Sequence, residues 1–186
     1  VHHAPMSYPF RDPIGMTGEE AANRAILYLE KRVGASNLAA VVIEPIQGEG
    51  GFVVPAPGFL RTLAEWAKAN GIVMVADEVQ SGIARTGTWF ASEYEVDFEP
   101  DLVTIAKGVA GGMPISAVTG RAEIMDASHP GGLGGTYGGN PVAAAAAATH
   151  HRAAKNQPRA SSRPVVETYG SRTNQINNLA AKSGPN

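Results

Sequence analysis

Cysteine is absent from the 186-residue chain, which excludes disulfides and thiolate metal sites and fits a reducing compartment. Aromatic residues are scarce at 6%, and the two tryptophans, Trp66 and Trp89, read as packing residues rather than a stacking platform for a ring. Neither sign of charge is in excess: 15 basic side chains face 17 acidic ones, for a net charge of -2. No broad field therefore exists to hold nucleic acid or an anionic membrane, and a small-molecule ligand is favoured. Long apolar runs are missing as well, with nothing near the roughly 18 residues that a membrane span needs. The start, Val1-His2-His3, lacks the basic lead and apolar core of a signal peptide, so the expected location is the cytoplasm. With no initiator Met, the chain is expected to open in mid-domain, as a fragment or a processed product. The length allows one sizeable core and at most an appendage.

The residues present alternate between helical and strand patterns. Thr17 and Glu20 have the spacing of a capping box, in which a hydroxyl and a carboxylate reciprocally satisfy free amides, so a helix is expected from Gly18 to Val33. Residues Leu38 to Ile43 form a β-branched apolar run, as expected of a parallel strand covered on both faces. Pro57 suits a first helical turn, and Phe59, Leu60, Leu63, Ala64 and Ala67 recur at helical spacing until Asn70-Gly71. Further strands are expected at Ile72 to Ala76, Leu102 to Ala106 and Ser116 to Thr119. The alternation points to a mostly parallel α/β sheet, whose ligands sit beyond the carboxyl ends of the strands. Glu44, Asp77 and Lys107 all fall there. An alanine-rich helical run follows Pro141 and ends near Ala148. Residues 149–186 show neither period and are expected to be a disordered tail, because a polar segment buries too little apolar surface to offset its ordering entropy.

Lys107 follows an apolar strand and precedes Gly108 and the Gly111-Gly112-Met113-Pro114 turn, a placement expected to aim its amine into a crevice. A lysine of this kind can form a Schiff base with an aldehyde, the chemistry of pyridoxal phosphate enzymes. A lone lysine at a strand end is more often simply solvated, so corroboration is needed. Asp77, at the end of the preceding strand, could keep a pyridine nitrogen protonated, or it could merely cap its loop. Gln80 adds an amide able to reach a ring hydroxyl. The glycine-rich stretches, Gly48-Glu49-Gly50-Gly51 and Gly131 to Gly139, complete neither a dinucleotide fingerprint nor a P-loop. Thr136, set among glycines, could instead offer its hydroxyl and nearby amides to a phosphate, and a plain loop is the competing reading. His2-His3 and His150-His151 are adjacent pairs, unlike the i, i+4 spacing of helical metal ligands, and read as surface histidines; no metal is expected.

Together, Glu44-Pro45-Ile46-Gln47-Gly48-Glu49-Gly50-Gly51, Asp77-Glu78-Val79-Gln80-Ser81-Gly82, Thr104-Ile105-Ala106-Lys107-Gly108 and Gly134-Gly135-Thr136-Tyr137-Gly138-Gly139-Asn140-Pro141 resemble the ordered motifs of class III aminotransferases. The resemblance covers about Ala4 to Ala148 and is nearest to enzymes of the bacterial 4-aminobutyrate type. It implies part of the large domain of a fold type I pyridoxal-phosphate-dependent transferase in residues 1–148, with a divergent tail in 149–186. It also implies the following roles. Lys107 would carry pyridoxal 5'-phosphate and move the substrate proton, Asp77 would pair with the ring nitrogen, and Gln80 would contact the ring hydroxyl. Thr136 would bind the phosphate across a homodimer interface, Glu49 would gate a substrate-binding arginine, and Glu44 would support the site from behind. The expected partners are an amino donor, 4-aminobutyrate, and a 2-oxo acid, 2-oxoglutarate; ornithine or a β-amino acid is the alternative donor, and a truncated non-catalytic remnant is the alternative class. The family's upstream phosphate loop, stacking aromatic and second-carboxylate arginine have no counterpart here, so the chain alone is expected to be inactive.

Overall fold

In the computed structural model, which describes residues 1–132 and 139–155, the chain divides after Val103 into two compact units. In the first unit, α1 (Gly18–Arg32) starts at Thr17, whose hydroxyl accepts from the Glu20 amide at 3.1 Å while the Glu20 carboxylate accepts from the Thr17 amide at 2.8 Å. The capping box read from the sequence is thus formed in full. α1 buries Ala21, Ala22, Ala25, Ile26 and Leu29, and α2 (Phe59–Ala69) buries Phe59, Leu60, Leu63, Ala64 and Ala67. These two stripes pack together. Small alanines allow the close approach, and the tightest point is Gly18, where a Cβ would lie 2.1 Å from the Pro57 carbonyl oxygen. α2 begins only at Phe59, after Gly58 in a left-handed conformation, so Pro57 lies outside the first turn in which it was expected. Trp66, half-buried on α2, donates its indole N–H to Glu30 at 3.0 Å.

β1 (Ala40–Ile43) and β2 (Val73–Asp77) pair in parallel, Ala40 opposite Val73 through Ile43 opposite Ala76. β2 is largely buried and β1 is not: Val42 is 65% exposed. The expectation of a strand covered on both faces therefore fails for β1, because the described residues pack nothing over its outer face. β3 (Leu102–Ile105) straddles the division between the units. It neighbours β2 in the first unit and β4 (Ala117–Gly120) in the second, giving the order β1-β2-β3-β4. Asp101 anchors the first of these contacts. Its amide donates to the Met74 carbonyl and its carboxylate accepts from the Met74 amide, both at 2.8 Å.

The second unit continues from β4 into the short α3 (Ala122–Met125) and then α4 (Pro141–Lys155). Asn140 starts α4 by accepting from the amides of Val142 and Ala143 at 3.0 and 3.2 Å. The helix passes well beyond Ala148. Thr149 stays in it by donating its hydroxyl to the Ala145 carbonyl at 2.9 Å, the helical back-bond open to a threonine. A nitrogen of His150 lies 3.4 Å from the Val109 carbonyl oxygen, and His151 is buried, so the reading of both as surface histidines is corrected for His151. Residues 149–155 of the expected tail are thus helical, and the remainder of that tail lies outside the described residues.

Candidate cofactor site

The candidate residues of the first unit sit on two loops that touch. After β1, Gln47 and Val53 bridge in antiparallel fashion and enclose the turn from Gly48 to Phe52. Glu44 holds the base of that turn by accepting from the Gly48 amide at 2.8 Å. After β2, the chain enters the loop that carries Asp77 and Gln80. One Asp77 carboxylate oxygen accepts from the Val79 amide at 3.0 Å, so the loop-capping role weighed for this residue is realised. Gln80 reaches across to the other loop and donates from Nε2 to Glu49 Oε1 at 2.7 Å. Gly48 makes this contact possible. It is buried, and a Cβ there would lie 2.8 Å from Cδ and 2.9 Å from Nε2 of Gln80. Glu49 and Gln80 are thereby brought together beyond the carboxyl ends of β1 and β2, and Asp77 ends β2 three residues before Gln80.

Lys107 belongs to the second unit, directly beyond β3, where it begins a 3-10 turn with a φ of 46°. A non-glycine residue in the left-handed region is uncommon and concentrates at functional positions. The side chain is exposed. The crevice expected around it is thus not formed by the described residues, because neighbouring Gly108, Gly111 and Gly112 have no side chains with which to cover it. Thr136 lies outside the described residues. Trp89, half-buried, packs edge-on to Phe90 with ring centroids 6.3 Å apart, in keeping with a packing role.

Sequence reading passed over Glu78. It is fully buried between the two site residues of its loop and accepts hydrogen bonds from the Ser81 hydroxyl and the amides of Ala91 and Ser92. The signal in the sequence is a second carboxylate directly after Asp77, following a strand of apolar residues.

The sequence matches the aminotransferase class-III family over residues 1–166, past the limit of Ala148 read from the motifs alone. The chain belongs to that family. It is 61% identical over 152 residues to 4-aminobutyrate aminotransferase of Mycobacterium tuberculosis, covering 78% of this chain and 34% of that protein. It is 57% identical over 109 residues to 5-aminovalerate aminotransferase of Pseudomonas aeruginosa, covering 59% and 25%. Among solved structures, the ornithine aminotransferase of Toxoplasma gondii, crystallised with pyridoxal phosphate partly occupying its active site, superposes with a TM-score of 0.63 at 39% identity, covering 72% of this chain and 31% of that one. The chain thus spans about a third or less of the length of these relatives. Its first-unit loops suit a pyridoxal ring on chemical grounds. An acidic side chain and a primary amide share one short loop, and the Cβ-free backbone of Gly48 lies against that amide. No helix among the described residues is long and apolar enough to cross a membrane.

Proposed function

We propose that this chain is part of the cofactor-binding core of a pyridoxal-phosphate-dependent aminotransferase. The reaction would move the amino group of 4-aminobutyrate to 2-oxoglutarate, giving succinate semialdehyde and glutamate. The observation that carries the reading is the Gln80 to Glu49 hydrogen bond, which brings the expected ring-contact and substrate-side residues together in a chain of this family. Bound pyridoxal phosphate would supply an electron sink for the substrate carbon. Asp77 would set its negative charge beside the ring nitrogen, Gln80 would hold the ring hydroxyl, and Thr136 would bind the phosphate from the other subunit of a homodimer. Lys107 would bond the cofactor and afterwards shuttle the proton at the substrate carbon. Glu49 would govern which substrate carboxylate is accepted. The likeness to a 5-aminovalerate enzyme supports a second donor, a terminal amine one carbon longer, with the same residues in the same roles.

Borohydride reduction after addition of pyridoxal phosphate, followed by peptide mapping, tests the cofactor assignment. The label is expected on Lys107, and labelling of Lys68 or Lys155 with Lys107 unmodified would overturn it. Donor choice is tested on the full-length protein with a panel of 4-aminobutyrate, 5-aminovalerate and ornithine. A higher kcat/KM for either of the latter two would reject 4-aminobutyrate as the preferred donor.

A further inference from the structure

Glu78 stands between Asp77 and Gln80 in the chain, yet its hydrogen bonds run to Ser81, Ala91 and Ser92. Its side chain is 0% exposed. Burying a carboxylate is costly unless its oxygens are hydrogen-bonded, and an apolar side chain would fill the same space at lower cost. Here both oxygens are hydrogen-bonded: Oε2 accepts from Ser81 Oγ at 2.6 Å and from the Ala91 amide at 3.1 Å, and Oε1 accepts from the Ser92 amide at 2.7 Å. Three donors and no acceptor suit a group that only accepts. The carboxylate ties the loop after β2 to the 3-10 turn at Ala91–Tyr94, thirteen and fourteen residues further along the chain.

The rest of the loop is equally constrained. The Gly82 amide donates to the Glu78 carbonyl at 2.9 Å, and a Cβ on Gly82 would lie 2.7 Å from that oxygen. Ile83 and Ala84 follow with φ of 58° and 61°, and both donate their amides to the Trp89 carbonyl, at 2.8 and 3.3 Å. A β-branched residue in the left-handed region persists only where its surroundings dictate it. The buried Glu78 contacts hold the start of this stretch.

We infer that Glu78 is a positioning residue: its buried carboxylate clamps the Asp77–Gly82 loop onto residues Ala91 and Ser92 and so sets Asp77 and Gln80 for the cofactor. The role in cofactor binding rests on the function proposed above, whereas the clamp itself does not. In Glu78→Gln, one carboxylate oxygen becomes an NH2 group that faces a donor, so at least one contact is lost while the volume is kept. Both Glu78→Gln and Ser81→Ala, made in the full-length protein, are compared with the unsubstituted full-length protein by hydrogen-deuterium exchange and by the visible absorption band of saturating pyridoxal phosphate. Glu78→Gln is expected to speed exchange of the Val79 to Ala84 and Ala91 to Ser92 amides by about tenfold or more, with the α1 and α2 amides unchanged. It should also shift the absorption band, because a displaced Asp77 no longer fixes the charge state of the ring. Unchanged exchange in the loop, or an unchanged band at saturation, overturns the proposal. If Glu78→Gln also exposes α1 and α2, Ser81→Ala decides, with loosening confined to the loop supporting the clamp and no loosening refuting it. If the unsubstituted full-length protein takes up no cofactor at Lys107, the proposed function and the cofactor role fail together, and the exchange data still decide whether the clamp exists.

Discussion

Gln80 and Glu49, 31 residues apart in the chain, are joined by a 2.7 Å hydrogen bond from side-chain amide to carboxylate. This bond links the loop after β2 to the glycine turn after β1, and a Cβ at position 48 would not fit while Gln80 stays in place. A solvent-exposed bond of this kind is worth about 0.5–1.5 kcal/mol. We expect a double-mutant cycle of Glu49→Ala and Gln80→Ala, read by urea denaturation, to give a coupling energy in that range. Additive effects of the two substitutions would show that the bond does not persist in solution.

A harsher outcome is expected at Gly18. Its missing side chain lets α1 sit against the segment before α2, and a Cβ there would meet three backbone atoms: the carbonyl oxygens of Pro57 and Ala56 at 2.1 and 2.6 Å and the Phe59 amide nitrogen at 2.6 Å. Backbone atoms cannot rotate aside as a side chain can. Gly18→Ala should therefore destabilise the first unit by about 2–4 kcal/mol, even though alanine is the better helix former. A change in urea-unfolding free energy below about 0.5 kcal/mol, the range of an ordinary surface substitution, would contradict this account of the α1 and α2 packing.

Local features were legible in the sequence and distant ones were not. The Thr17 and Glu20 capping box needs only residues three apart, and it formed as read. Lys107 and Asp77 were placed correctly at strand ends because a short apolar run followed by a polar residue marks that position. Glu78 escaped because two of its three donors are backbone amides, which leave no trace in the side-chain pattern. The exposure of Val42 and Lys107 escaped for a related reason: a run of apolar residues or small neighbours says what could be covered, while the cover must come from other segments. α4 outran its expected end because Thr149 and the histidines, poor helix formers by propensity, are held by one back-bond and by packing.

Glu95 offers a test by pH. Its carboxylate accepts from the Gly58 amide at 2.7 Å, just before α2. Burial pushes this carboxyl above its ordinary value of 4.5. The Gly58 hydrogen bond and the charge of Arg61 oppose the rise, and neighbouring Glu19, itself 3.0 Å from Arg61, adds to it. The sign follows from proton linkage. Between the ordinary value and the raised one, the folded chain holds the Glu95 proton that the unfolded chain has released, so the group's contribution is fully present below the ordinary value and is lost as pH rises through the folded one. Glu95→Gln removes the titration yet keeps an oxygen able to accept from Gly58. Urea-unfolding free energies of the two proteins, measured in parallel from pH 4 to pH 8, should therefore diverge, the unsubstituted chain losing stability relative to Glu95→Gln as pH rises from about 4.5. The other carboxylates titrate in both proteins, so the difference isolates this one group. Parallel curves would mean that Glu95 is solvated in solution. Divergence of the opposite sign would mean that the Gly58 amide and Arg61 outweigh burial.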